Sequence, residues 1–125
     1  MSPAEHDRLI ARTSHLPHLV AAMLVELLGR SPSRTEALCG PGFRDATRIA
    51  AGSEDMWHDI VKTNRASVGQ ALEALARVLA RVRRMVRQGD FEGLRSFLAT
   101  SRKARRDLNH RLAPSASLRA GKRGA

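Results

Sequence analysis

The chain has 125 residues, with 22 Lys and Arg against 12 Asp and Glu, one Cys, one Trp, three Phe and no Tyr. At that length a folded chain buries roughly two thirds of the surface it exposes when unfolded, enough for the core of one domain. Cys39 has no partner, which excludes a disulfide scaffold; no apolar run approaches the ~20 residues of a membrane span; and Met1 to Asp7 lacks the basic and apolar regions of a signal peptide. A cytoplasmic protein is expected.

The formal net charge is +10, but it is unevenly placed. Residues 1–100 hold 14 basic and 11 acidic side chains, whereas residues 101–125 hold eight basic ones and Asp107 alone, so the excess reads mostly as a tail.

Ser2, Pro3 and Glu5 together make a capping-box helix start. Apolar residues follow at three and four spacing from Leu9 to Leu28, ending at Gly29, with a kink or break expected near Ser14 to Pro17 because proline removes a backbone donor and crowds the preceding turn. Arg30 to Gly42 reads as a loop holding at most a short turn at Thr35 to Leu38, and Phe43 to Ala51 as a short helix closed by Gly52. Ser53 caps the next helix, with Glu54 and Asp55 in its first turn. One apolar stripe then runs from Trp57 to Val86, which predicts a single long helix ending at Gly89. About 35 residues at 1.5 Å each span roughly 50 Å, against a diameter of roughly 35 Å for a compact monomer of this size. The stripe therefore outruns its own chain, and a second copy is the simplest cover; a break at Gly69 is the alternative. Asp90 caps a last helix carrying Phe91, Leu94, Phe97, Leu98 and Leu108, and the chain frays into a disordered tail of Ala, Ser, Gly, Arg and Lys. Every segment is helical, without repeat, and the class is all-α.

No phosphate-binding loop is present: Gly40-Pro41-Gly42 supplies two glycines of a dinucleotide fingerprint, but residue 45 is Asp45 and no strand precedes it. The five histidines lack metal-ligand spacing, so no metal is expected. His18 lies in an apolar helix and has two readings. It is either a core histidine satisfied by a backbone carbonyl or a neutral imidazole facing a pocket. Arg44 and Arg48 share a face, with Asp45 three residues before Arg48, so a guanidinium is held by a carboxylate and offered to an anion; the alternative is a solvated helix with one ion pair. A glycine-lined turn running into this helix favours a carboxylate ligand. Trp57 is either core packing or an interface group.

In order along the chain, Glu5-His6-Asp7, Ser14-His15-Leu16-Pro17-His18, Gly42-Phe43-Arg44-Asp45-Ala46-Thr47-Arg48-Ile49-Ala50 and Met56-Trp57-His58-Asp59-Ile60 resemble the C-terminal helical domain of the prephenate, arogenate and cyclohexadienyl dehydrogenases. The likeness covers residues 1–109 and leaves 110–125 as a basic appendage. It implies a dimerisation and substrate-binding domain of an oxidoreductase of tyrosine biosynthesis. In that family an upstream Rossmann domain binds NAD or NADP, and hydride leaves the hydroxyl-bearing ring carbon of prephenate as CO2 departs. The family's catalytic histidine lies in that upstream part, so this chain alone is expected to bind no cofactor and to be inactive. The implied substrate-binding residues are His18, which orients the substrate, Arg48, which binds a carboxylate, and Gly40, Gly42, Asp45 and Ser14 around the pocket. Trp57 is implied to approach the partner's pocket in a homodimer. Pro41 stands where the family usually has a third glycine and removes one N–H from that turn. Two other functions fit less of the chain. One is a small basic helical nucleic-acid binder resting on Arg77, Arg81, Arg83, Arg84 and Arg87; it lacks aromatic stacking platforms. The other is a chorismate-mutase-like helical enzyme binding a dicarboxylate through arginines.

Overall fold

Helix α1, Pro3–Ile10, starts where the Ser2 hydroxyl accepts the Glu5 N–H and Pro3 occupies the first turn. The computed structural model describes residues 1–30 and 35–112, and among these every regular element is helical. The expected break before Pro17 is a π-helical turn, Ala11–His15, in which the Leu16 N–H reaches back to the Ala11 carbonyl. Pro17 then sits in the first turn of α2, Leu16–Gly29, where its missing N–H is harmless. The wider turn turns both His15 and His18 inward, and both are buried. A 3-10 turn, Thr35–Leu38, follows, then α3, Pro41–Thr47, and a second 3-10 turn, Arg48–Ala51, ended by Gly52. Helix α2 packs against both α3 and the Arg48–Ala51 turn.

The stripe read as one helix from Ser53 to Gly89 forms two, α4 (Glu54–Thr63) and α5 (Arg65–Gln88). Asn64 separates them with φ −110° and ψ 33°, although Asn64 N–H still reaches Ile60 and Val68 N–H still reaches Asn64. The joint is not at Gly69, which lies inside α5. A helix of 24 residues spans about 36 Å, so length alone no longer requires a second chain. Threonines mark the irregular points: Thr13, Thr47 and Thr63 donate their hydroxyls to the carbonyls of Leu9, Phe43 and Asp59, four residues back. Such back-bonding competes with the regular ladder and bends it. Helix α5 closes on Gly89 at φ 68°, with Asp90 N–H bonded to Met85 O and Gly89 N–H to Val86 O, the paired bonds of a left-handed helix end. Asp90 then accepts the Gly93 N–H and opens α6, Phe91–Leu112.

The chain divides into two compact units, Met1–Arg77 and Val78–Ala125. In the first, Ala11, Val68 and Ala71 form the buried centre, with Leu16, Leu19, Val61 and Leu72 packed around it. Small side chains at three of the four buried apolar positions, Ala11, Ala21 and Ala71, let helices approach closely. In the second unit no described residue is buried, and Leu79, Val86, Phe91, Leu98, Leu108 and Leu112 are exposed. Arg81 lies over the Phe97 ring, 5.5 Å from its centre. Helix α6 also corrects the reading of the charge. Arg102, Lys103, Arg105, Arg106 and Arg111 sit on an ordered helix, so most of the basic residues beyond position 100 belong to a folded element; the remaining tail, 113–125, lies outside the described residues.

Candidate functional site

Because the 3-10 turn Arg48–Ala51 packs on α2 and Ser53 immediately caps α4, with its hydroxyl accepting the Met56 N–H, Trp57 is brought back over His18. The two rings stack with centroids 3.7 Å apart and planes 13° from parallel. His15 meets the same indole edge-on, at 6.1 Å and 80°. Gly52 makes the stack possible. Its backbone is ordinary, but a Cβ there would lie 2.9 Å from Trp57 Nε1 and 3.2 Å from His18 Cε1.

These rings wall an open groove of about 600 Å³, lined by His18, Leu19 and Ala22 of α2, Ala50, Gly52 and Ser53 of the turn, and Glu54, Trp57, His58, Val61, Lys62 and Arg65. Its surface is mainly apolar, with Lys62 and Arg65 set against Glu54. His18 is only 6% exposed, and its Nδ1 is buried without a hydrogen-bond partner among the described residues. A backbone carbonyl therefore does not satisfy that nitrogen. An unpaired buried imidazole nitrogen costs roughly 1–3 kcal/mol.

The remaining expected site residues are placed less centrally. Arg48 is exposed at the head of the 3-10 turn whose Ala50 lines the groove. Asp45 and Arg48 form no ion pair, although they lie three residues apart where α3 passes into the 3-10 turn; both side chains are exposed. No ion pair engages Arg48 among the described residues. Gly40 caps α3, Pro41 is in its first turn, and both Gly40 and Gly42 are exposed with open space where a Cβ would be. Ser14 is half-buried in the π-helical turn. None of these four, Gly40, Gly42, Asp45 or Ser14, lines the groove. Sequence reasoning missed Lys62 and Arg65, which lie beside the apolar stripe that runs on from Trp57, and the close approach at Gly52, which read only as a helix stop. Among the described residues there is no strand, no glycine-rich turn between strand and helix for a dinucleotide, and no group of three or more His, Cys, Asp or Glu arranged for a metal ion.

A family model described as "Prephenate dehydrogenase, dimerization domain" matches residues 2–100. The prephenate dehydrogenase of Bacillus subtilis (strain 168) is 36% identical over 111 residues, covering 86% of this chain and 30% of that protein. Among solved structures, prephenate dehydrogenase from A. aeolicus in complex with hydroxyphenyl propionate and NAD+ aligns with a TM-score of 0.79 at 33% identity, over 86% of this chain and 39% of that one. Synechocystis arogenate dehydrogenase has the same fold, with a TM-score of 0.82 at 22% identity over 86% and 41% of the two chains. The chain spans about a third of the length of the curated relatives it matches.

Proposed function

Because the chain belongs to the prephenate dehydrogenase dimerization-domain family, we propose that it serves as the pairing and substrate-binding part of an NAD(P)-dependent prephenate or arogenate dehydrogenase. Residues 1–109 are assigned to that domain, and 110–125 to a basic appendage. In the whole enzyme a nicotinamide nucleotide, held outside this chain by a Rossmann domain, would supply the hydride acceptor for the oxidative decarboxylation.

The observation that carries this reading is the buried, unpartnered Nδ1 of His18 in a groove bordered by cations. Prephenate is a compact dianion with a ring hydroxyl. An apolar floor of Trp57, Leu19 and Val61 suits its ring, His18 stands in the wall, and Lys62 and Arg65 border the groove for one carboxylate; Arg48, exposed at the head of the turn that carries Ala50, is assigned the other. An arginine fork is the natural receptor for a carboxylate. The Gly40–Gly42 turn and Ser14 are kept as candidate substrate-binding positions and Asp45 as part of a polar network near the mouth, on the family resemblance and not on the groove's lining.

Pairing is assigned to α5 and α6, whose exposed Leu79, Val86, Leu98 and Leu108 need cover. Trp57 remains a candidate contact to the second copy beside its stack on His18.

Calorimetric titration of prephenate into the chain tests the substrate reading. Removing a charge-assisted contact costs about 1.5–3 kcal/mol, so Arg48→Ala and His18→Ala are each expected to weaken binding roughly ten- to a hundredfold. Unchanged binding in Arg48→Ala removes that residue from the site, and absence of binding by the parent chain overturns the reading. Sedimentation at micromolar concentration is expected to show a dimer, and a monomer overturns the pairing.

A further inference from the structure

Asn64 does more than separate two helices. Its side chain crosses to the start of the chain, where Nδ2 donates to the Asp7 carbonyl at 2.8 Å and lies 3.4 Å from Nδ1 of His15. A backbone carbonyl only accepts, so the amide nitrogen, not the amide oxygen, faces this corner. One of its hydrogens serves Asp7 and the other is directed at the imidazole. His15 Nδ1 is then the bare, accepting nitrogen, and Nε2 carries the proton.

Among the described residues no other side chain is hydrogen-bonded to that ring. His15, 8% exposed, shares a cavity of about 370 Å³ with His6, Asp7 and Asp59. The Asp7 carboxylate lies 3.6 Å from His6 and that of Asp59 3.0 Å from His58, so both acids face other histidines. The ring of His15 meets Trp57 edge-on, and Trp57 stacks on His18.

We infer that Asn64 is a positioning residue for the substrate-binding histidine. By fixing the tautomer and plane of His15 it sets the Trp57 ring, and through that ring the direction in which the Nδ1 of His18 points. The relay from Asn64 to His18 stands on geometry alone; its bearing on substrate rests on the function proposed above.

The test is long-range proton–nitrogen NMR of the histidines in the 15N-labelled 125-residue chain, at about pH 8.5, roughly two units above the ordinary histidine pKa. In the parent chain, His15 is expected to show an unprotonated Nδ1 and a protonated Nε2, with the His18 ring protons displaced upfield by the indole face. Asn64→Ala is expected to release His15 into a mixture of tautomers and at least halve the His18 displacement. Asn64→Asp replaces the donor with an acceptor and is expected to move the His15 proton to Nδ1. A protonated Nδ1 in the parent chain overturns the inference, as do unchanged His15 and His18 signals in Asn64→Ala. If both variants lose their helical circular dichroism, the parent tautomer alone decides. In the prephenate titration, Asn64→Ala is expected to bind about tenfold more weakly, whereas Arg48→Ala weakens binding without moving the His15 signals. A tautomer change in a chain that never binds prephenate counts against the substrate reading and leaves the relay standing.

Discussion

Residues 1–77 carry nine basic and nine acidic side chains, and residues 78–112 carry ten and three. Both stretches are helical and capped by the same chemistry, Ser2 and Ser53 in one and Asp90 in the other. The first stretch holds the ion pairs found among the described residues, the buried apolar cluster and the groove. The second has no buried residue, and its cations make no ion pair among the described residues. Caps and periodicity are therefore enough to specify a helix but not to say what it packs on. Helices in proteins owe most of their stability to packing of an apolar face, and α6 leaves Leu98, Leu108 and Leu112 of its stripe exposed.

The sharpest contrast comes from placing one carboxylate in each stretch. Val68 is 2% exposed at the centre of the cluster, and an unpaired charge there costs several kcal/mol, a large share of the 5–15 kcal/mol that holds a domain together. Val68→Asp is expected to abolish the upfield shift of His18 and much of the helical circular dichroism. Leu98→Asp, on the exposed stripe of α6, is expected to leave the His18 shift in place and convert the sedimenting dimer to monomer. Equal loss of the His18 signal in both variants breaks the distinction between the two stretches.

A milder change probes the groove alone. Gly52→Ala forces a methyl group against Trp57 and His18, and overpacking of this kind costs about 1–3 kcal/mol. Fluorescence of Trp57, the single tryptophan, is expected to change together with the His18 shift. An unchanged emission spectrum indicates that the stack yields without strain.

The helix starts and stops were legible because each depends on one or two local residues: Ser2 with Pro3, Ser53 with its acids, Gly89 with Asp90. The joint at Asn64 was not, because Ile60, Val61 and Val68 keep the apolar stripe in phase across it and the hydrogen bonds on either side persist. Its residue types, Thr63 before Asn64, are the available local signal. The site was half legible. His18 and Trp57 stood out as a polar and an aromatic group in apolar helices, whereas Gly52, Lys62 and Arg65 became neighbours only when the 3-10 turn carried α4 back over α2. The expected Asp45–Arg48 pair did not form, because both side chains are exposed and an exposed ion pair gains little over hydration.

The smallest effect separates the two stretches by charge. On α5 and α6, Arg83 with Arg87 and Arg102 with Arg106 are like charges four residues apart, each pair destabilising a helix by about 0.2–0.5 kcal/mol. Asp107 offsets part of this, standing four residues from both Lys103 and Arg111. Raising the ionic strength from about 0.01 to 0.15 M shortens the screening length from roughly 30 to 8 Å, which weakens repulsion summed over ten cations more than attraction to three acids. Amide exchange in α6 is therefore expected to slow by roughly twofold across that range, about 0.4 kcal/mol, while exchange in α2, within the charge-balanced stretch, stays constant. The comparison holds only at fixed protein concentration, because pairing also protects α6 by mass action. Running the same salt series on the Leu98→Asp monomer separates the two contributions. Slowing that persists in the monomer belongs to charge within the helix, and slowing that vanishes belongs to pairing.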